Sequence, residues 1–190
     1  VEQVHQGVEF DAKWRISPLV DLEGMLTLGN YEYGSDVTDS NVTNNSGQSI
    51  GSATLYLDGE KVGTTAHKTA RLNLTVNPSD KFKFNLSLFH ADDIFGTVNT
   101  EDFQDPEDTT MKLPSYELFD FGSSYTLSIG GKDVYLRLNI NNIFDEEYYY
   151  MSNNNVFASP GEPTYKGMPL NAKVFPGWGR TYNLGLTYRF

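Results

Sequence analysis

Residues 180–190 read Arg-Thr-Tyr-Asn-Leu-Gly-Leu-Thr-Tyr-Arg-Phe, and their alternation decides the fold. Tyr182, Leu184, Leu186, Tyr188 and Phe190 share one parity, and Thr181, Asn183, Gly185, Thr187 and Arg189 share the other. A period of two sustained this long describes an extended strand with one apolar and one polar face. Aromatic rings stand near the ends of the apolar face and leucines at its middle. That distribution suits a bilayer, with rings at the two headgroup levels and aliphatic chains between them.

Working back along the chain, the same alternation recurs. Residues 2–16 place Val4, Val8, Phe10, Ala12, Trp14 and Ile16 on one face, and His5, Glu9, Asp11, Lys13 and Arg15 on the other. Residues 21–33 form a second strand whose parity changes between Leu22, Leu26, Leu28 and Met25, Tyr31, Tyr33, the pattern of a bulge. Residues 64–76 and 81–91 follow, then a strand ending near Leu127, one over 134–144, and the terminal strand. Short turns are expected at 17–20, 77–80 and 130–133, the middle one built on Asn77-Pro78-Ser79-Asp80. The long connections are 34–62, about 92–113 and about 145–177, the first holding an expected hairpin over 55–62 on an Asp58-Gly59 turn. Short and long connections therefore alternate, as in outer-membrane barrels with short periplasmic turns and longer extracellular loops.

The bulk numbers agree with this reading. The chain has 190 residues, 14% of them aromatic, and no apolar run near the roughly 20 residues of a membrane helix. Absence of Cys excludes disulfides and thiolate metal sites. A net charge of −11 argues against nucleic acid as a partner. Seven acids (Asp92, Asp93, Glu101, Asp102, Asp105, Glu107 and Asp108) crowd a stretch that reads as a solvated loop, without the spacing of an EF-hand. Divalent-cation binding is the alternative reading of that stretch. His5, His67 and His90 lie far apart, with no metal-ligand spacing between them. His5 and His67 take the polar, lumen-facing parity, and His90 the apolar one near the outer interface. Asp145-Glu146-Glu147 sits at a strand-to-loop junction and reads as a solvated turn. Neither catalytic residues, a resident metal nor a cofactor is expected, and no enzyme is predicted.

Several segments resemble the C-terminal part of TonB-dependent outer-membrane receptors. Asn141-Asn142-Ile143-Phe144-Asp145-Glu146-Glu147-Tyr148 is similar to that family's penultimate-strand signature. Pro176-Gly177-Trp178-Gly179-Arg180 resembles its approach to the last strand, and Leu113-Pro114-Ser115-Tyr116 with Asp120 resembles the start of the strand before those. A terminal aromatic, here Phe190, is likewise a mark of bacterial outer-membrane barrels. The resemblance covers residues 1–190 and is most specific over 113–190. It implies an all-β, antiparallel transmembrane barrel, of which about seven C-terminal strands of a 22-stranded, plugged barrel are present.

Bacterial single-chain barrels have an even number of strands, eight at the least, and seven strands leave an open edge on each side, which is not a stable structure in lipid. Val1 opens directly into strand pattern, without a signal peptide, so the expectation is a fragment or one part of a split receptor. The plug domain and the N-terminal strands are expected on the same or a separate chain. The resemblance further implies energised uptake of a scarce nutrient (siderophore, vitamin or oligosaccharide) across the outer membrane of a Gram-negative bacterium. Implied partners are outer-membrane lipid and lipopolysaccharide, TonB acting through the plug, and the barrel-assembly machinery. The last of these would read Tyr182, Leu184, Leu186, Tyr188 and Phe190.

Candidate ligand contacts are Tyr148, Tyr149, Tyr150, Asn153, Asn154, Asn155 and Phe157. Rings and amides together suit stacking on, and hydrogen bonding to, sugars or siderophores; an aromatic girdle at the outer interface is the plainer reading. Two other readings compete with the receptor. One is a complete small outer-membrane barrel acting as an adhesin or lipid-modifying enzyme, and the other a soluble carbohydrate-binding β-sandwich.

Overall fold

The period-two pattern folds as written, into one antiparallel sheet. The computed structural model describes residues 1–157 and 161–188. Seven long strands run consecutively: β1 Gln3–Ser17, β2 Val20–Tyr33, β3 Ala66–Ser79, β4 Phe82–Phe95, β5 Tyr116–Ile129, β6 Lys132–Asn141 and β7 Thr181–Tyr188. Each pairs with the next in the chain, and a two-residue strand, Lys112–Leu113, adds to β4. Among the described residues β1 and β7 do not pair with each other, so the sheet is open.

Two neighbouring rows across the sheet display its chemistry. Trp14, Leu22, Leu74, Leu86, Phe121, Ile140 and Tyr182 stand opposite one another from β1 to β7, every one apolar or aromatic. One residue further towards the short turns, Arg15, Asp21, Thr75, Asn85, Gly122, Asn139 and Asn183 form the next row, every one polar or glycine. Adjacent rows point to opposite faces. The apolar face is bare: Trp14 is 64% exposed and Leu184 79%. A contiguous apolar surface of this extent needs lipid or protein against it. From Trp178 to Tyr188 the chain covers about 33 Å when extended, which a strand tilt of about 40° reduces to roughly 25 Å, the height of a barrel's apolar band.

The core lies at the long-loop end. Leu57 and Phe103 in the loops, and Ile94 and Leu113 at that end of the sheet, are buried almost completely. Short turns close the other end. Gly130 and Gly131 both adopt positive φ (58° and 76°), the type I′ hairpin geometry that matches the twist of the strands.

Several sequence expectations are corrected. No bulge interrupts β2: its register with β1 is continuous from Tyr33 to Asp21, and Met25, Tyr31 and Tyr33 face the polar side with the rest of their parity. The second short turn is Asp80-Lys81. Asn77 and Pro78 instead lie within β3, where the register shifts between Val76 and Ser79, the bulge that accommodates a proline. The hairpin of the first long loop is Val37–Thr43 with Ser49–Leu55, and Asp58-Gly59 makes a turn but no hairpin. Asp92 and Asp93 belong to β4 and pair with Lys112 and Lys68. β6 stops at Asn141 because Asn142 turns to φ 51°. Phe190 lies outside the described residues; the ridge of Tyr182, Leu184, Leu186 and Tyr188 that precedes it follows the expected parity.

Candidate functional site at the loop end

The three long connections fold against one another. A first cluster packs Tyr33 and Leu55 with Leu57 and Phe103, so the first and second loops share a core. A second packs Ala91, Ile94, Met111, Leu113 and Met168, with Tyr149 and Val174 against it, so the second and third do too. Polar contacts run alongside. Glu60 accepts from both the amide and the hydroxyl of Thr110 (2.6 and 2.7 Å). Asp36 Oδ1 accepts the amides of Leu57 and Asp58. Asn155 accepts from the Met111 amide at 2.6 Å and donates to the Thr109 carbonyl at 3.1 Å. Gly63 and Gly96 cross so closely that a Cβ on Gly63 would meet the Gly96 carbonyl oxygen at 1.9 Å.

His67 sits beneath this assembly and is buried, not open to the lumen. Its Nε2 bonds the Val62 carbonyl at 2.8 Å, and Nδ1 accepts the Tyr31 amide at 3.4 Å. His5, Tyr31, His67 and Phe95 form a chain of ring contacts with centroids 4.6–4.9 Å apart. His5 is exposed on the polar parity as expected. His90 takes the apolar parity beside Glu117, 3.4 Å away.

The junction between β6 and β7 is knotted by the segment that carries the family resemblance. The buried Asn142 accepts the Glu146 amide at 2.8 Å and donates to the carbonyls of Glu146 (2.9 Å) and Trp178 (3.2 Å). Its own amide donates to Asp120. Arg180 donates its guanidinium to the Ile143 carbonyl at 3.1 Å. A Cβ on Gly177 would fall 1.9 Å from the Tyr148 ring, and one on Gly179 would fall 2.9 Å from Asp145 Oδ1, so both glycines admit close approach. Asn and Asp that bond nearby backbone, and glycines where the loop rejoins the sheet, are what the sequence predicts here.

The candidate ligand contacts divide by surroundings. Tyr148 packs on Tyr116 (centroids 4.5 Å), and burial pushes its hydroxyl pKa up. Tyr149 donates to Glu147; that bond lifts Tyr149 to about 12 and lowers Glu147, so the two hold each other in neutral and anionic form. Asn154 accepts the Lys173 amide at 3.0 Å, Asn155 ties the loops as above, and Phe157 packs edge-on against Phe103. Tyr150 is 46% exposed beside Phe175, and Asn153 is exposed, its amide alone engaged with Lys173. Tyr150 and Asn153 are therefore the two that present side chains outward.

The polar face carries a second surface that sequence reading passed over. A concavity of ≈ 780 Å³ is lined by Lys13, Glu23, Arg71, Asn73, Asn85 and Asp120, among others. Parity announced each side chain, but only the cross-strand register brings them together.

Residues 2–143 match the family model described as TonB dependent receptor-like, beta-barrel. The chain belongs to the TonB-dependent receptor family. Among curated proteins it is 35% identical over 91 residues to the metal-pseudopaline receptor CntO of Pseudomonas aeruginosa, in two strains. That match spans 47% of this chain and 12% of the relative's length. Among solved structures it is similar to the siderophore receptor PiuA from Acinetobacter baumannii, with TM-score 0.66 and 17% identity. That alignment covers 97% of this chain and 21% of the other. The likeness to PiuA establishes the fold. The relatives are receptors, and this favours the receptor reading over the small barrel and the sandwich.

Proposed function

We propose that residues 1–190 form the C-terminal wall of a 22-stranded, plugged barrel in a Gram-negative outer membrane, which takes up a metal chelate with energy delivered through TonB. The observation that carries this is the pair of rows described above. An open seven-strand sheet, with an apolar row across one face and a polar row across the other, cannot stand alone in lipid, because its edge amides and carbonyls need partners. Further strands of the same barrel supply them. Lipid and lipopolysaccharide cover the apolar face, a plug fills the polar side, and the barrel-assembly machinery engages β7 with Phe190. The metal-chelate class rests on the relationship to the metal-pseudopaline receptor, and takes precedence over vitamin or oligosaccharide.

In this reading Tyr150 and Asn153 reach the ligand directly. Tyr148, Tyr149, Asn154, Asn155 and Phe157 back them by fixing the loop's shape. The test is uptake of a radiolabelled metal chelate by cells producing the full-length receptor, with and without functional TonB. Saturable accumulation only when TonB is functional is the expected outcome. Equal accumulation in both hosts would overturn the proposal. Tyr150→Ala should weaken chelate binding while leaving the amount of assembled receptor unchanged.

A further inference from the structure

Two phenols meet on one carboxylate oxygen at the loop end. Glu147 Oε1 accepts the hydroxyl of Tyr149 and, at 3.3 Å, that of Tyr165. Tyr165 arrives from a separate hairpin. Thr164–Tyr165 pairs with Met168–Pro169 across Lys166 and Gly167, both at positive φ (49° and 86°), the two-residue turn that suits a tight hairpin. Met168 is buried in the second cluster, against which Tyr149 also packs. One apolar anchor therefore holds both phenols. Glu147 and Tyr165 are themselves exposed, so the meeting point opens to solvent.

The donor set has a definite chemical preference. Phenolate and carboxylate are hard oxygen ligands, and neither imidazole nor thiolate stands among the three, which disfavours copper, nickel and zinc. Calcium and magnesium are satisfied by carboxylates, carbonyls and water, and are too weak as acids to displace a phenol's proton. Tyr149 in particular is held neutral by its bond to Glu147, its pKa pushed up to about 12. A hard cation of high charge, of the ferric type, competes with that proton. Two phenolates and one carboxylate set three negative charges against its three positive ones, with two protons released to solvent and no electron transferred.

The surroundings favour such an ion. Residues 34–65, 96–115 and 142–179, which link the long strands at the loop end, hold 13 Asp and Glu against four Lys and no Arg. A field of that sign concentrates cations. Lys166, beside the cluster, donates to the Glu147 backbone carbonyl at 3.1 Å and not to the carboxylate.

We propose that Glu147, Tyr149 and Tyr165 form a site for a hard trivalent cation of the ferric type, shared with the oxygen donors of the chelate that carries it. The proposal rests on the metal-chelate reading above and adds a direct contact between protein and metal. Tyr149 keeps its place in the loop throughout, donating to Glu147 before the cation arrives and binding the cation afterwards.

The purified full-length receptor in detergent is titrated with ferric nitrilotriacetate and followed by visible absorption. Iron on a phenolate gives a charge-transfer band in the visible range that nitrilotriacetate and carboxylate ligation lack. The expected result is a saturable band in the unaltered receptor, weaker in Tyr149→Phe or Tyr165→Phe and abolished when both are combined. Each Phe keeps the ring and removes one oxygen. Glu147→Gln should weaken iron binding about tenfold or more, and unchanged affinity there overturns the proposal. Absence of the band from the unaltered receptor also overturns it, as does a band of full strength in the double variant, which places iron on other tyrosines. Should the double variant not assemble, Tyr165→Phe, whose ring is exposed, decides alone, and an undiminished band refutes the site. TonB-dependent chelate accumulation without the band would leave the uptake reading standing and remove this site; the band without such accumulation would do the reverse.

Discussion

The backbone amide of Arg180 donates to Oδ1 of Asp145 at 2.7 Å, a bond across 35 residues of sequence. It joins the residue that begins the last strand's approach to the turn that ends the strand before it. Asp145 itself sits at φ 59°, and its amide bonds the Asn142 carbonyl. The third loop, however long, is thereby closed at its base.

Asn142→Ala should weaken that closure. It removes three side-chain hydrogen bonds from a buried site and leaves the Trp178 and Glu146 groups without them. The expected loss is about 2–4 kcal/mol, given roughly 1–3 for each buried group left unsatisfied and partial replacement by water. The check is the heat or urea midpoint of the folded-to-unfolded gel shift of the receptor. An unchanged midpoint would show that these bonds add nothing.

Gly177→Ala should destabilise the same region by a separate route, because its methyl group enters the Tyr148 ring. Overpacking of this kind costs about 1–3 kcal/mol. Combined with Tyr148→Ala, the substitution should lose much of its effect, since the two sites touch. Strictly additive midpoints would refute the steric explanation.

Facing is tested at neighbouring positions of β7. Leu184→Arg puts a charge on the apolar face in the middle of the strand, at about 2–4 kcal/mol near the bilayer midplane. Asn183→Arg points to the polar side and should leave most of the assembled receptor in place. Comparable losses in both variants would invalidate the assigned orientation.

Deleting Phe190 should lower the amount of receptor in the outer membrane and raise its degradation. Affinity per assembled molecule should be unaffected, because the parity of residues 180–190 groups Phe190 with the apolar ridge and not with the polar side chains. Surface labelling and ligand titration measure the two quantities separately. Normal assembly with weakened binding would mean that the terminal strand has another role.

The sheet was legible because its two faces differ in chemistry along each long strand, so Leu184 and Asn183 declare their faces by parity alone. Outside the sheet, where long-range packing decides, the pattern fails. Asp58-Gly59 has the chemistry of a hairpin turn, yet Leu57 is fully buried on Phe103 and the segment follows that contact. Asp92 and Asp93 read as loop acids because their partners, Lys68 and Lys112, are distant in sequence. The same holds for Asn154 and Asn155, whose amides suit a ligand equally well but are engaged by Lys173, Met111 and Thr109. Of the candidate contacts, only register and packing distinguish Tyr150 and Asn153 from their neighbours.

The crossing of Gly63 over Gly96 limits how such a receptor can diversify. Two backbones in contact leave no room for either segment to shift independently, so one loop cannot be reshaped while its neighbour stays fixed. Length can vary freely only where a loop touches no other, and the exposed tip at residues 44–48 is such a place. Lineages that change specificity should therefore carry paired substitutions across loops, with insertions gathered at that tip.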